Sequence, residues 1–246
     1  DLFTLNNVVS TNITPQNFES QQNLAGYFAQ VEIDLYEQLY FNAGVRADQT
    51  SVLSKANRTA YFPKASLAWS ISNSLGNRGL LSYLKARASY GQTGRAPFAY
   101  QNLNIFSGGQ GAYAYGTGAT NAAQSGTGGL NTSFVFGDPN LKFERTSEVE
   151  GGFDFGLLHQ RIDGNVTYYS RDSKDVILNT PVAPSFGYGR TASNSAAITN
   201  KGWEVQLNGR VIDRTNLRWE VGVNYTRNRN LVTKLTGAEF VNLTGG

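Results

Sequence analysis

The sequence predicts an all-β fold, a transmembrane antiparallel β-barrel to which this chain contributes eight consecutive strands. Three observations lead to this prediction. Apolar and polar residues alternate with a period of two along segments of about ten residues, which is the length that a tilted strand needs to cross a bilayer. The connections between these segments alternate between short and long. Large aromatic residues lie near the ends of the apolar faces, as in the interfacial bands of membrane proteins.

The composition excludes several other classes of protein. The 246 residues include no Cys, which rules out a disulfide framework, a thiolate zinc site and an iron–sulfur cluster. No window of about 18 consecutive apolar residues exists, so no transmembrane helix is predicted. The net charge of +3 is too small to predict a nucleic-acid partner. Because residue 1 is not Met and the last residues read as the middle of a loop, we expect the chain to be an excerpt of a longer one.

Residues 39–48 show the alternation clearly. Odd positions such as Phe41 and Val45 are apolar, whereas even positions such as Asn42 and Arg46 are polar. Since successive side chains of a strand point to opposite faces, such a segment has one apolar and one polar face. The predicted strands, in chain order, are 24–34, 39–48, 60–72, 83–91, 146–155, 161–171, 202–211 and 217–226. All but 60–72 and 146–155 follow the pattern strictly, with no charge on the apolar face and thirteen charges on the other.

The connections place residues 1–246 in one barrel domain with two kinds of rim. The short connections, predicted as periplasmic turns, are 35–38, 73–82, 156–160 and 212–216. The long ones, predicted as extracellular loops, are 49–59, 92–145 and 172–201. A soluble β-sandwich also alternates apolar and polar residues. It is disfavoured because the strands are too long for it and because an irregular connection of 54 residues is uncommon in a compact domain.

The charged residues of the polar faces are the candidate functional residues. We expect nine of them to face the lumen of the barrel: Arg46, Asp48, Lys85, Arg87, Glu148, Glu150, Arg210, Arg218 and Glu220. Their functional interpretation is docking of an internal plug or a path for the substrate. The alternative is ordinary solvation of a wet lumen with cross-strand pairing of charges.

No catalytic, cofactor-binding or metal-binding residue is predicted, and the chain is not expected to be an enzyme. Glu148, Glu150 and Asp154 share a face, and neighbouring carboxylates can perform acid–base chemistry. On a barrel wall they more often pair with basic neighbours. The single histidine, His159, lies in a short turn, where a solvated side chain is expected. The glycine-rich stretches 107–111 and 126–129 lack the strand, helix and lysine of a phosphate-binding loop.

Five segments together resemble the SusC/RagA family of TonB-dependent outer-membrane transporters. Residues 61–71 (YFPKASLAWSI) are similar to the family's FPxxSLxWxI strand, and residues 84–94 (LKARASYGQTG) to its LKxRxSYGxTG segment. Residues 138–144 (DPNLKFE) resemble NPxLKWE, 152–156 follow at the family's spacing, and 200–204 resemble NKGxE. The chain departs from the family at Arg95, where Asn is usual, and at Ala196, where Gly is usual.

The resemblance implies a barrel of about 22 strands in the bacterial outer membrane, closed around an N-terminal plug domain that is not in this sequence. It also implies TonB as the energy source, a SusD-like surface lipoprotein as a lid, and outer-membrane lipids around the barrel. The expected function is import of large nutrients, glycans or peptides. Two alternatives stay open: a structural or protein-interaction barrel without its own transport, and a stand-alone barrel of eight strands. The sequence does not identify the substrate.

Overall fold

The computed structural model describes residues 19–75, 80–108 and 130–237. Its strands are β1 (Leu24–Leu35), β2 (Leu39–Thr50), β3 (Thr59–Ser70), β4 (Leu81–Arg95), β5 (Phe106–Gly108), β6 (Leu130–Thr132), β7 (Val135–Phe136), β8 (Glu144–Leu157), β9 (Ile162–Pro181), β10 (Arg190–Arg214) and β11 (Leu217–Leu235). Two short helical segments complete it, α1 (Ile71–Leu75) and a 3₁₀ turn (Pro184–Phe186). Within the described ranges, no helix has the length and apolar character needed to cross a membrane.

The long strands form one open sheet in the order β1-β2-β3-β4-β8-β9-β10-β11, with every neighbouring pair antiparallel. All eight predicted strands are therefore confirmed, and spatial order follows chain order. The short strand β7 adds in parallel to β10, and β5 and β6 form a separate pair. In the part of the chain that the structure describes, β1 pairs only with β2 and β11 only with β10, so the sheet does not close on itself.

The register keeps the predicted faces aligned from strand to strand. Ser89 lies opposite Glu150, and Arg87 and Thr167 lie on either side of Gly152, so the polar faces of β4, β8 and β9 are continuous. On the other face, Val205 lies opposite both Val166 and Tyr225. Many large apolar side chains on this face are exposed; Val223, for example, is 58% exposed. A face of this extent needs an apolar solvent or a partner.

Aromatic residues mark the limits of the apolar face. Tyr61 and Trp69 lie eight residues apart in β3, which corresponds to about 26 Å along the strand at ~3.3 Å per residue. A strand tilt of about 40° reduces this to roughly 20 Å along the membrane normal, close to the apolar band of about 25 Å in outer-membrane barrels. Trp203 and Tyr168 pack together on the same face with ring centroids 4.9 Å apart. The spacing fits a sheet that crosses one bilayer.

The short connections lie at one edge of the sheet, here called the turn edge, and the long ones at the opposite loop edge. At the first turn Tyr36 and Glu37 adopt positive φ angles of 57° and 54°, and the backbone N–H of Gln38 donates to the carbonyl oxygen of Leu35 at 3.1 Å, which closes the three-residue connection between Leu35 and Leu39. His159 lies in the turn after β8, with φ 57°. The helix α1, which the sequence analysis did not predict, begins at Ile71, within the strand predicted over 60–72, and ends at Leu75, within the connection predicted over 73–82.

The predicted loop over 172–201 is wrong in its extent. β9 continues to Pro181 and β10 begins at Arg190, so only residues 182–189 connect them. Beyond Lys174, which pairs with Arg145 of β8, the two strands pair with each other for about seven more residues. At ~3.3 Å per residue this β9–β10 extension projects about 23 Å past the end of β8. β-Bulges between Asn194 and Ile198 disrupt the alternation there, which hides the strands in the sequence.

The connection predicted over 92–145 is shorter in the structure, where it comprises residues 96–143. Part of it has regular secondary structure. It contains β5, β6 and β7, while its glycine- and alanine-rich part, 109–129, lies outside the described residues. Residues 138–143 fold back onto the loop edge of the sheet. There the amide of Asn194 brackets Lys142, accepting from its backbone N–H at 2.9 Å and donating to its carbonyl oxygen at 3.2 Å. Asn57 Nδ2 donates to the carbonyl oxygens of Asn140 and Leu141, both at 3.1 Å.

The hydrophobic core of the described chain lies where residues 138–143 pack against the loop edge of the sheet. Its buried members are Leu53, Ala60, Phe62, Leu141, Phe143 and Ala192. Phe62 and Phe143 meet edge to face with ring centroids 5.9 Å apart. Two of the segments that carry the family resemblance, 61–71 and 138–144, therefore pack against each other. The core lies at the loop edge because the rest of the sheet turns one face to the apolar surroundings and the other to polar ones.

Candidate functional site: the polar wall

The polar face of β1–β4 and β8–β11, here called the polar wall, is the candidate functional surface. It carries all nine residues that the sequence analysis selected. The structure does not gather them into one pocket. It distributes them along the wall and joins them to neighbours in adjacent strands, and the chemistry of the wall depends on those partners.

Arg87 is the centre of a network that joins three strands. Its Nη1 donates to Glu150 Oε1 at 2.8 Å, its Nε to Asp154 Oδ1 at 3.3 Å, and its Nη2 to Thr167 Oγ1. The guanidinium therefore links β4, β8 and β9. The three charged side chains are about one third exposed, at 33%, 34% and 31%. Partial burial makes these charge-assisted hydrogen bonds stronger than those of fully exposed pairs.

Gly152 makes this reach possible. It lies directly between Arg87 and Thr167 in the register. A Cβ at this position would be 2.6 Å from the carbonyl oxygen of Val166 and 3.1 Å from Thr167 Oγ1. The absence of a side chain thus opens a path across β8, along which the arginine lies.

The same arrangement recurs in the first three strands. Gly44 lies between Gln30 and Lys64, and Lys64 Nζ donates across it to Gln30 Oε1 at 2.6 Å. A Cβ on Gly44 would be 3.1 Å from Lys64 Cε and 2.9 Å from the carbonyl oxygen of Ala29. In both places a glycine on the middle strand of three leaves space for a long polar side chain on one outer strand to reach a partner on the other.

Other charges of the wall are paired between or along strands. Arg171 binds Glu148 with two hydrogen bonds, Nε to Oε2 at 3.1 Å and Nη2 to Oε1 at 3.2 Å. Arg46 pairs with Asp48 at 2.7 Å and lies 5.9 Å from the centre of the Phe62 ring. Fork-to-fork arginine–carboxylate pairs are the strong class of charged hydrogen bond.

A second cluster of charges lies near the turn edge. Arg210 is 3.5 Å from Glu220 and 3.9 Å from Asp213, while Arg218 is 3.5 Å from Asp213 and 3.9 Å from Glu220. A bulge between Arg210 and Ile212 shifts the register, so that Asp213 pairs with Arg218 on the polar wall. Strict alternation would have put Asp213 on the apolar face.

Sequence reasoning therefore selected nine charged members of the wall but not several of the residues they pair with. Lys85 lies opposite Asp154 in the register, and its Nζ is 5.9 Å from the centre of the Tyr40 ring. The partners outside the nine candidates are Gln30, Lys64, Asp154, Thr167, Arg171 and Asp213, of which only Asp154 had been considered, on one face with Glu148 and Glu150. All but Asp213 have the parity of the polar faces, so the alternation was a sufficient signal for the face, though not for the partner.

The wall holds a groove of about 950 Å³ that runs across β1–β4, β8 and β9. Gly91 lies in it, between Lys64 of β3 and Glu148 of β8 in the register, and a Cβ at Gly91 would have nothing within 4 Å. The hydroxyl groups of Ser66 and Ser89 line it as well. In the described part of the chain, no group of three or more His, Cys, Asp and Glu residues has the arrangement of a metal site. The groove thus offers hydrogen-bonding groups among charged side chains that already have partners, Glu148 and Glu150 in ion pairs and Lys64 with the amide of Gln30.

We expect Arg87→Met to destabilise the barrel by about 1–2 kcal/mol, less than the 3–5 kcal/mol of a fully buried pair because the network is partly exposed. The variant leaves Glu150 and Asp154 without their cation. The urea midpoint for unfolding of the full-length protein in micelles, read from its heat-modifiable gel mobility, measures the change. Arg46→Met is the matched control, since Arg46 is 52% exposed and its pair should contribute less than about 1 kcal/mol. Equal effects of the two changes would show that the Arg87 network adds nothing specific.

Comparison with known proteins places this sheet among bacterial receptors. A family model described as "TonB dependent receptor-like, beta-barrel" matches residues 2–244. TonB-dependent receptor SusC of Bacteroides thetaiotaomicron is 31% identical over 230 residues, which are 90% of this chain and 22% of that protein. TonB-dependent receptor P3 of Formosa agariphila is 28% identical over 224 residues, again 90% of this chain and 21% of that protein. The chain thus spans about a fifth of the length of these relatives.

The fold has solved counterparts. The RagAB peptide importer in its open-open state superposes with a TM-score of 0.79 at 22% identity, covering 97% of this chain and 26% of that one. At this identity the likeness concerns the fold. It shows that the open sheet described above has the shape of a segment of a larger barrel.

Proposed function

The chain belongs to the TonB dependent receptor-like β-barrel family, and from this premise we propose that it forms part of the wall of an outer-membrane importer of large nutrients, glycans or peptides. The family consists of transporters and receptors, not enzymes. We accordingly propose no catalytic step for this chain. Its part in transport is to provide a polar path through the bilayer, which an energised plug outside this chain opens.

The observation that carries the proposal is the division of the sheet into two faces. An apolar face with aromatic limits suits hydrocarbon, and a polar wall suits an interior filled with water or protein. The charges of that wall mostly neutralise one another, as Arg87 does with Glu150 and Arg171 with Glu148. A wall of this kind solvates a polar substrate without holding it by one strong charge, which is what passage of a large nutrient requires.

We further propose that the loop edge is extracellular and receives a SusD-like lipoprotein lid. The β9–β10 extension projects from this edge and ends in an aromatic cluster, where the ring of Phe136 lies 5.1 Å from that of Phe186 and 5.0 Å from that of Tyr188. Phe186 is 51% exposed. Exposed aromatic groups on a projecting segment are favourable contact residues for a partner. TonB would act through a region outside this chain.

A strain that expresses the full-length protein provides the test. Uptake of fluorescently labelled peptides or oligosaccharides should require both the protein and TonB, and it should stop when the proton-motive force is dissipated. The competing function is a structural or protein-interaction barrel without its own transport. Partner proteins retained by the tagged receptor, together with uptake that is unaffected by loss of TonB, would favour that alternative.

We expect deletion of residues 109–129 to weaken lid binding while leaving barrel insertion unchanged. Gly108 of β5 and Leu130 of β6 pair with each other, so a short Gly-Ser link can join the ends without moving the sheet. Co-purification of the lid lipoprotein with the full-length receptor measures the effect, and heat-modifiable mobility reports insertion. Loss of insertion would assign the deleted residues to the folding core. Unchanged lid binding and unchanged uptake would remove them from the proposed role.

A further inference from the structure

Three basic residues stand together on the apolar face of the last two strands. Lys201 lies opposite Arg229, and Arg227 lies opposite Trp203. Unbroken alternation from Val221 through Tyr225 to Arg229 puts both arginines on the apolar face. All three basic side chains are exposed. We call Lys201, Arg227 and Arg229 the basic patch.

The basic patch begins where the apolar face ends. Arg227 lies two residues beyond Tyr225 toward the loop edge, and Arg229 lies two residues further. At ~3.3 Å per residue they are about 7 Å and 13 Å past that tyrosine along the strand. Tyr and Trp side chains favour the level of the lipid headgroups, and basic groups just beyond them reach the headgroup phosphates. The depth of the patch therefore matches the headgroup layer.

No protein group neutralises the patch within the described residues. The ion pairs found there include none of its three members. The carboxylate on the same face, Asp172, accepts a hydrogen bond from Thr199 Oγ1 at 2.6 Å.

The opposite end of the sheet differs from the patch in charge. There the positions just beyond the aromatic limit are Ala25, Gln49 and Thr59, which pair in one row across β1, β2 and β3. The positive charge is thus a property of one side of the barrel segment and not of the whole rim.

We propose that the basic patch binds phosphate groups of lipid headgroups in the outer leaflet, an inference that rests on the outer-membrane placement proposed above. Arginine guanidinium groups form two parallel hydrogen bonds to phosphate, and a lysine adds a mobile point charge. Two arginines on alternate positions of one strand, with a lysine facing them from the next, can hold neighbouring phosphates of one headgroup. Trp203 and Tyr225 lie beside the patch, at the boundary between the hydrocarbon and the headgroups.

The test measures lipid bound to the full-length receptor by native mass spectrometry. The probes are bisphosphorylated lipid A and the same lipid after phosphatase treatment. We expect the variant K201Q/R227Q/R229Q to bind the phosphorylated lipid on the order of a hundredfold more weakly, since each basic residue near an anionic surface contributes about fivefold. The charge-conserving variant K201R/R227K/R229K should retain most of the binding. Lys55→Gln, which removes an exposed charge from the loop after β2, is the control and should change nothing.

Several results would overturn the proposal. One is equal binding of phosphorylated and dephosphorylated lipid A by the unaltered receptor. This comparison uses no variant, so it remains decisive even if the glutamine variant fails to insert. Another is unchanged lipid binding in the glutamine variant, as expected if a carboxylate on the strand that follows β11 in the larger barrel neutralises the patch. Displacement of the lipid by millimolar inorganic phosphate would indicate a site for free phosphate. Lipid binding is measured on purified receptor, so its outcome is independent of whether the receptor imports nutrients.

Discussion

Replacing Val45 by arginine is expected to cost about 2–4 kcal/mol of barrel stability and to reduce the amount of receptor in the outer membrane. Val45 lies near the middle of β2, on the apolar face, between Ala29 and Pro63 of the neighbouring strands. Its side chain is 43% exposed in the isolated chain, so a bilayer is expected to cover it. An arginine there has to leave water for hydrocarbon or bend toward the headgroups, and both are costly.

The adjacent position provides the control. Arg46→Val changes the polar wall, where losing the ion pair of this half-exposed arginine with Asp48 costs at most about 1 kcal/mol. Receptor abundance in outer-membrane fractions and the urea midpoint of the heat-modifiable band measure both variants. The difference between two neighbours is diagnostic because a strand inverts its faces at every residue. Equal losses would contradict the division into a lipid face and a lumen face.

The second large effect is expected at Gly152. Gly152→Ala should destabilise the barrel by about 1–3 kcal/mol, because the new Cβ would be 2.6 Å from the backbone carbonyl oxygen of Val166. A backbone atom cannot rotate away as a flexible side chain does, so β8 and β9 must separate. The methyl group also occupies the path by which Arg87 reaches Thr167. The urea midpoint of the full-length receptor measures this loss.

Gly91→Ala is the matched substitution, since Gly91 lies on the same polar wall with open space above it. It should be neutral or should stabilise by about 0.4–1 kcal/mol, because alanine restricts the unfolded chain without a clash in the strand. A receptor that tolerates both substitutions equally would show that the contacts around Gly152 relax freely. A receptor that loses stability only at Gly91 would mean that the groove is filled in the complete barrel.

The sequence predicted the part of the fold that the bilayer enforces. Within the membrane, one face must be apolar, so alternation is regular and the strand beginning at Leu39 could be recognised from it. Beyond the membrane no such demand exists. Residues 172–181 and 190–201 lack strict alternation, since Val176, Ile177 and Leu178 stand in one run and bulges interrupt the period of β10, so these strands were interpreted as a loop. Their pairing depends on backbone hydrogen bonds between two adjacent strands, which leave little trace in composition.

The candidate site was predictable by face and not by partner. The alternation assigns Arg87 and Glu150 to one face, but only the register determines that they meet. Register depends on contacts across the whole sheet, which a single sequence does not reveal. The role of Gly152 could not be predicted for the same reason. Its missing side chain matters only because the register places the long side chain of Arg87 opposite it on the next strand.

The bulge between Arg210 and Ile212 has a consequence for how this wall can change in length. Side chains of a strand alternate between the lipid face and the lumen face. Inserting one residue therefore moves every side chain beyond the insertion to the opposite face. A bulge accommodates the extra residue locally and restores the alternation beyond it. The bulge after Arg210 does this, because it places Asp213 on the polar wall opposite Arg218. Single-residue insertions and deletions are therefore confined to the bulged sites, near the turn edge and near Ala196. Between them, the membrane-spanning part of β10 can gain or lose residues only in pairs.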